Sequence, residues 1–302
     1  MHEHIFAKHP ELEQNYPSPE WDEEAMITRA RDGLEELAAL GVTTLVDLTV
    51  MGLGRHIPRI QCVAEGLDIN IVVATGYYTK DVLPGYFQTH GPGRRMDVPE
   101  PLVDMFLRDI QEGIADTGVK AAIIKVVTEK EGLTPDVERV LSSAAIAQKE
   151  TGVPISTHTN PEFSTGRTQQ EFFRSAGVDL SRVIIGHCGE STDFDYLRKL
   201  MDNGSTLGMD RFGFFGRELD EQRVDTVVAL CEAGYADRMT LSHDYAFFSI
   251  NTEPSARARM WPDWKHTRVS TYVLPALRDR GVSEAQIEQM MVRNPARLLT
   301  PH

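Results

Sequence analysis

Six side chains able to hold metal ions stand at the ends of apolar, β-branched runs. The chain opens with His2-Glu3-His4. Lys125 closes the run Ala121-Ala122-Ile123-Ile124, and His158 follows Val153-Pro154-Ile155-Ser156-Thr157. His187 follows Val183-Ile184-Ile185-Gly186, and Asp244 follows Met239-Thr240-Leu241-Ser242-His243. Packing alone gives no reason for polar groups to recur at strand ends. Imidazole-rich ligation favours Zn²⁺, with Co²⁺, Mn²⁺ or Fe²⁺ as alternatives. Four His, one Lys and one Asp suit two divalent cations, which together lower the pKa of bound water and clamp a substrate oxygen.

Each member also has a plainer explanation. His-x-His on a strand places both imidazoles on one face, yet a chance pair at a flexible end reads the same. A lysine ending a buried strand tends to lose its charge. It either snorkels or pairs with an acid, or its neutral amine takes up CO₂ and becomes an anionic ligand that bridges two metals. A lone His at a strand end is more often a satisfied rim residue than a ligand. Asp244 could simply cap the loop that follows. The recurrence of the set, rather than any member, points to a metal centre. Cys188 adjoins His187 but belongs to the opposite face of a strand.

The elements that must position these groups alternate strand and helix. Strands are expected at Val42–Val50, Ile69–Thr75, Lys120–Val127, Val153–Thr157, Arg182–Gly186, Thr206–Met209 and Arg238–Leu241. Helices are expected at Asp22–Leu40, Ile57–Glu65, Leu102–Asp116, from Thr134 to Thr151, and at Thr168–Ala176, Asp193–Asn203 and Asp220–Ala233. Gly41 serves as a C-cap, and Thr134-Pro135 as an N-cap with Pro at the first helical position. Gly76–Pro101 and Tyr245–Asp263 read as long loops, and two or three helices follow from Lys265 to Leu299. Lys125, His158 and His187 lie 33 and 29 residues apart, and 57 residues, two such units, separate His187 from Asp244. That period suits a (β/α)₈ TIM barrel of the α/β class, forming one domain over residues 1–302. A barrel carrying His2 and His4 at the end of its first strand needs residues ahead of Met1. The first strand is therefore expected to be truncated, leaving a gap with strand edges on both sides, unless the true start lies upstream.

The bulk numbers exclude several functions. A net charge of −14 and a pI near 5.2 argue against nucleic-acid binding and against docking on anionic membranes. The chain has three cysteines without Cys-x-x-Cys spacing, which fits a reducing cytoplasm. No apolar run reaches bilayer length.

The ordered motifs HEHIF (2–6), GVTTLVDLTVMGLGR (41–55), TGYY (75–78), IKVVTE (124–129), PISTHT (154–159), IGHCGEST (185–192), GMDRFG (208–213), LSHDY (241–245) and NPARLL (294–299) resemble the phosphotriesterase family of the amidohydrolase superfamily. Its phosphotriesterase-like lactonases are the nearest in pattern. The resemblance implies that His2, His4 and Asp244 hold the more buried metal and that His158 and His187 hold the more exposed one. A carboxylated Lys125 and a hydroxide would bridge the two. It implies that this hydroxide attacks a substrate polarised by the exposed metal and that Asp244 takes the proton. Tyr78 matches a tyrosine aimed at the hydroxide.

Arg211 stands where the lactonases carry Arg and dedicated phosphotriesterases carry His. The implied substrate is a lactone, N-acyl-homoserine lactones included, with phosphotriesters as a weaker substrate. A dedicated phosphotriesterase is the alternative. Arg211 also suits a role as partner of a nearby carboxylate. Tyr78, Lys80, Arg211 and Trp264 are the expected substrate-binding residues. Lys80 departs from the lactonase pattern, which has an aromatic there. Phe247, Phe248, Ile250 and Trp261 suit an acyl channel or a dimer contact. The resemblance also implies a homodimer.

Overall fold

The computed structural model describes residues 1–300. Nine strands appear in chain order: β1 (His4–Ala7), β2 (Thr44–Asp47), β3 (Asn70–Gly76), β4 (Ile123–Val127), β5 (Ile155–His158), β6 (Val183–Ile185), β7 (Thr206–Met209), β8 (Met239–Leu241) and β9 (Ala246–Ser249). Strands β2 to β8 form one parallel sheet in chain order. Such ordering, with helices as crossovers, is barrel topology. The β-branched runs are buried on both faces, as parallel strands require. Every residue of β4 is buried, and so is every residue of β5.

Local chemistry explains the helices between them. The Asp22 side chain accepts the Ala25 amide at the start of Glu23–Ala39. The Thr134 hydroxyl accepts the Val137 amide ahead of Pro135–Thr151, and that helix stops at Gly152 in the left-handed conformation. The Thr134 cap is the one the sequence predicts, and Gly41, expected to end the first helix, follows its last residues with a φ of 88°. Two expected loops contain structure. Gly85–Thr89 is a short helix, and the segment after Tyr245 holds β9 and a helix over Pro254–Met260. Phe247 and Phe248 sit on β9 with almost no exposure. They fill a second core with Leu34, Leu37 and Trp264.

The gap expected at the first strand is present in altered form. β1 does not lie between β2 and β8. It pairs in parallel with β9, matching His4 with Ala246 and Phe6 with Phe248. Among the described residues only Glu3 bridges to β2, at Asp47. Below that bridge a cavity of about 590 Å³ opens between Thr44–Val46 of β2 and Leu241 of β8. His2 and His4 are nevertheless fixed. The His2 carbonyl accepts the Asp244 amide, the His4 amide donates to the Tyr245 carbonyl, and the Glu3 amide donates to the Val46 carbonyl. No helix among the described residues is long and apolar enough to cross a membrane.

Candidate metal centre

The C-terminal ends of the strands bring all six predicted donors together. His2 Nε2 lies 2.9 Å from Lys125 Nζ and 3.4 Å from Asp244 Oδ1, and His4 Nε2 lies 3.4 Å from that same oxygen. His158 Nδ1 and His187 Nε2 face each other at 2.9 Å. His2, His4 and Asp244 offer donor atoms within 4.8 Å of one another.

The outer nitrogens show why the inner ones are aimed this way. His187 Nδ1 donates to Asp210 Oδ1 at 2.9 Å, and His2 Nδ1 lies 3.1 Å from Asp210 Oδ2. His4 Nδ1 meets Thr49 Oγ1 at 2.9 Å, and His158 Nε2 meets Glu129 Oε1 at 3.3 Å. Partners of this kind fix ring orientation and leave the other nitrogen as a lone-pair donor. All four imidazoles therefore turn one nitrogen to an orienting oxygen and the other to the centre. That donor set fits two divalent cations.

Asp210 is the member that sequence reading missed. It is fully buried and also accepts the His187 backbone amide at 3.1 Å. One carboxylate thus orients rings that belong to both halves of the donor set. Burial alone would raise its pKa, but His187 and His2 hold it well below the ordinary value. Its position next to Arg211 in GMDRFG was the available signal. Glu190 and Glu129 were missed as well, though both lie inside the quoted motifs.

Burial sets the protonation of the centre. It lowers Lys125 to about 7, so near neutral pH much of its amine is uncharged. It lowers His2 to about 3, with help from Lys125, so this imidazole is neutral. Burial pushes Asp244 up, but His2, His187 and Arg211 more than offset it and hold the carboxylate well below its usual range. Burial and the Asp244 charge raise Tyr78 to about 12, which keeps its phenol protonated. The Tyr78 ring stands edge-on to His158 with centroids 5.7 Å apart.

Backbone geometry at three of these residues is unusual. His187, Arg211 and Asp244 all have positive φ, at 60°, 65° and 51°. Such conformations cost free energy and concentrate where function holds them. In Arg211 the turn directs the guanidinium between two carboxylates. Nε donates to Asp244 Oδ2 at 2.9 Å, and Nη1 donates to Glu190 Oε2 at 2.9 Å.

The remaining expected residues are placed differently. Trp264 is buried and donates its indole N–H to the His243 carbonyl at 2.8 Å, with its ring against Phe214. Lys80 is exposed, and no hydrogen bond or ion pair among the described residues ties it to the centre. Cys188 is buried, and its thiol donates to the Ile185 carbonyl.

Comparison with known proteins agrees with this geometry. The family model for the phosphotriesterase family matches residues 1–299. The chain belongs to the phosphotriesterase family. It is 50% identical over 299 residues to a phosphotriesterase homology protein of Mycobacterium tuberculosis, covering 99% of this chain and 91% of that one. It is 35% identical to an aryldialkylphosphatase of Saccharolobus solfataricus over 303 residues, covering 99% and 94% respectively. A solved structure of the phosphotriesterase from Mycobacterium tuberculosis superposes with a TM-score of 0.95 at 49% identity, covering 99% of this chain and 92% of that one. This member of the amidohydrolase superfamily is thus a hydrolase with a TIM-barrel fold, from a family whose members depend on binuclear metal centres.

Proposed function

We propose that this phosphotriesterase-family hydrolase opens lactones, N-acyl-homoserine lactones among them, and hydrolyses phosphotriesters as a weaker activity. His2, His4 and Asp244 would hold one divalent cation and His158 and His187 a second, with carboxylated Lys125 between them. Zinc suits the imidazole-rich set. The half-neutral amine of Lys125 supports the carboxylation, because only the uncharged form attacks CO₂. When bound, the two cations supply an acidified water and a polarised carbonyl or phosphoryl oxygen.

The protein's own groups carry the rest. Asp244 is ionised and takes the proton of the attacking water. Tyr78 stays protonated, so it can donate a hydrogen bond to substrate oxygen. Arg211 holds Asp244 from one side and is itself held by Glu190.

The arginine clamp on Asp244 is the observation that favours lactones. A guanidinium has no acceptor and does not exchange its charge at neutral pH, so it cannot relay the Asp244 proton outward. The proton remains beside the reacting centre. A ring-opened lactone leaves as an alkoxide, which needs that proton. The aryloxide that leaves an activated triester is far more stable as an anion and does not. The 35% identical aryldialkylphosphatase supports the second reading, a dedicated phosphotriesterase. Measuring kcat/KM of the zinc-loaded protein for an N-acyl-homoserine lactone and for an aryl dialkyl phosphate decides between them. We expect the lactone value to be the higher; a clear preference for the triester reverses the assignment.

A further inference from the structure

Glu3 lies between two of the donors and points away from them. In an extended chain alternate side chains take opposite faces, so His2 and His4 turn to the centre while Glu3 turns to the loop that carries Asp244. Its carboxylate is buried and accepts three hydrogen bonds there. Oε1 takes the His243 amide at 2.8 Å and His243 Nδ1–H at 2.7 Å. Oε2 takes the Tyr245 amide at 3.0 Å.

The two backbone donors are the peptide N–H groups on either side of Asp244, the residue with φ of 51°. The Asp244 amide itself goes to the His2 carbonyl at 3.0 Å. All three amides from 243 to 245 are therefore taken by the His2-Glu3 segment. His243 extends the link. Its Nε2 accepts the Val269 amide at 2.9 Å, which places its proton on Nδ1, toward Glu3. Its carbonyl accepts the Trp264 indole at 2.8 Å.

We propose that Glu3 is a positioning residue for Asp244. One carboxylate brackets the strained residue and locks donors distant in sequence, the His2/His4 pair and Asp244, into one half-site. Without it Asp244 relaxes out of the left-handed conformation and that half-site opens. The other half-site, His158 with His187, rests on Asp210 and Glu129 and stays intact. Loss of Glu3 should therefore weaken one metal equivalent and leave the second.

This inference rests on the proposed metal centre, and the experiment keeps the two apart. Wild type and Glu3→Gln are loaded with zinc, dialysed against graded chelator and analysed for metal. A parallel cobalt loading is followed by absorption. Gln keeps the shape but cannot accept the Tyr245 amide through its NH₂ group. We expect wild type to hold two equivalents and Glu3→Gln to bind one of them about 10- to 100-fold more weakly, the size typical of orienting partners. Its cobalt spectrum should change, and its kcat should fall more than its KM changes. A purely structural Glu3 would instead lower the Tm of the metal-free protein and leave the stoichiometry at two. Wild type without stoichiometric metal overturns the reading of the centre. Two equivalents in both proteins, released by chelator alike, overturns the role of Glu3 alone. Should Glu3→Gln not fold, Glu3→Asp is read the same way: it keeps the charge but its shorter reach spans fewer of the three donors.

Discussion

The two ends of the sheet both bury polar side chains, and they use them in opposite ways. At the N-terminal end Asn294 is fully buried. It donates to the Ala236 carbonyl at 2.8 Å and the Met239 carbonyl at 2.7 Å, at the entrance to β8. Arg182 donates to the Gly152 and Arg297 carbonyls, and Arg297 reaches Thr206 Oγ1 on β7. Every contact there joins a donor to an acceptor. At the C-terminal end four imidazoles, a half-neutral amine and an ionised carboxylate converge with their nitrogens and oxygens facing one another. The first arrangement is complete as it stands and ties the strand entrances to the helices around them. The second presents a donor set that fits divalent cations. The same side-chain burial thus means stability at one pole and chemistry at the other, as barrel enzymes divide their two faces.

Substitutions at the two poles should separate these roles. The largest effect belongs to the centre. His158→Ala removes a donor, and we expect turnover of lactone and triester alike to fall about 10²- to 10³-fold, the scale of losing one charge-stabilising group. Steady-state kinetics with metal analysis checks it; unchanged turnover would refute the site. Asp210→Asn comes next. One amide oxygen cannot accept from two imidazoles, so metal affinity should drop about 10- to 100-fold, read by chelator competition. The smallest effect lies at the other pole. Asn294→Ala strands two buried carbonyls, which costs about 1–3 kcal/mol of stability, seen as a lower denaturant midpoint with kcat per folded molecule unchanged. Should Asn294→Ala slow catalysis instead, the division between the poles fails.

Lys125 sharpens the comparison through pH. Its folded pKa near 7 lies below the ordinary lysine value, so the folded amine is protonated below 7 and neutral above. Reconstitution of metal-free protein with zinc and bicarbonate should rise as pH passes upward through about 7 and level off beyond it.

Much of this was legible in the chain. Short β-branched runs followed by capped helices give strand and helix by local rules, and β7 and the cap at Thr134 fall where those rules put them. The six donors were legible because a polar group at the end of a buried run has few structural explanations. Glu3, Asp210, Glu129 and Glu190 were harder to see, since acids are common on surfaces and their value here comes from partners 21 to 240 residues away. β9 was hidden for a related reason. Ala246–Ser249 is only four residues long and becomes a strand by pairing with β1, matching His4 with Ala246 far along the chain.

The sequence by itself determined which groups exist, on which strands, and in what order, because side-chain alternation and helix caps depend only on neighbours. Tertiary structure decided what each group does. It placed Asp210 between two rings, set His187, Arg211 and Asp244 in left-handed turns, and brought the lysine near neutrality by removing water. Those outcomes depend on desolvation and on bonds closed across long stretches of chain, and neither is written in local order.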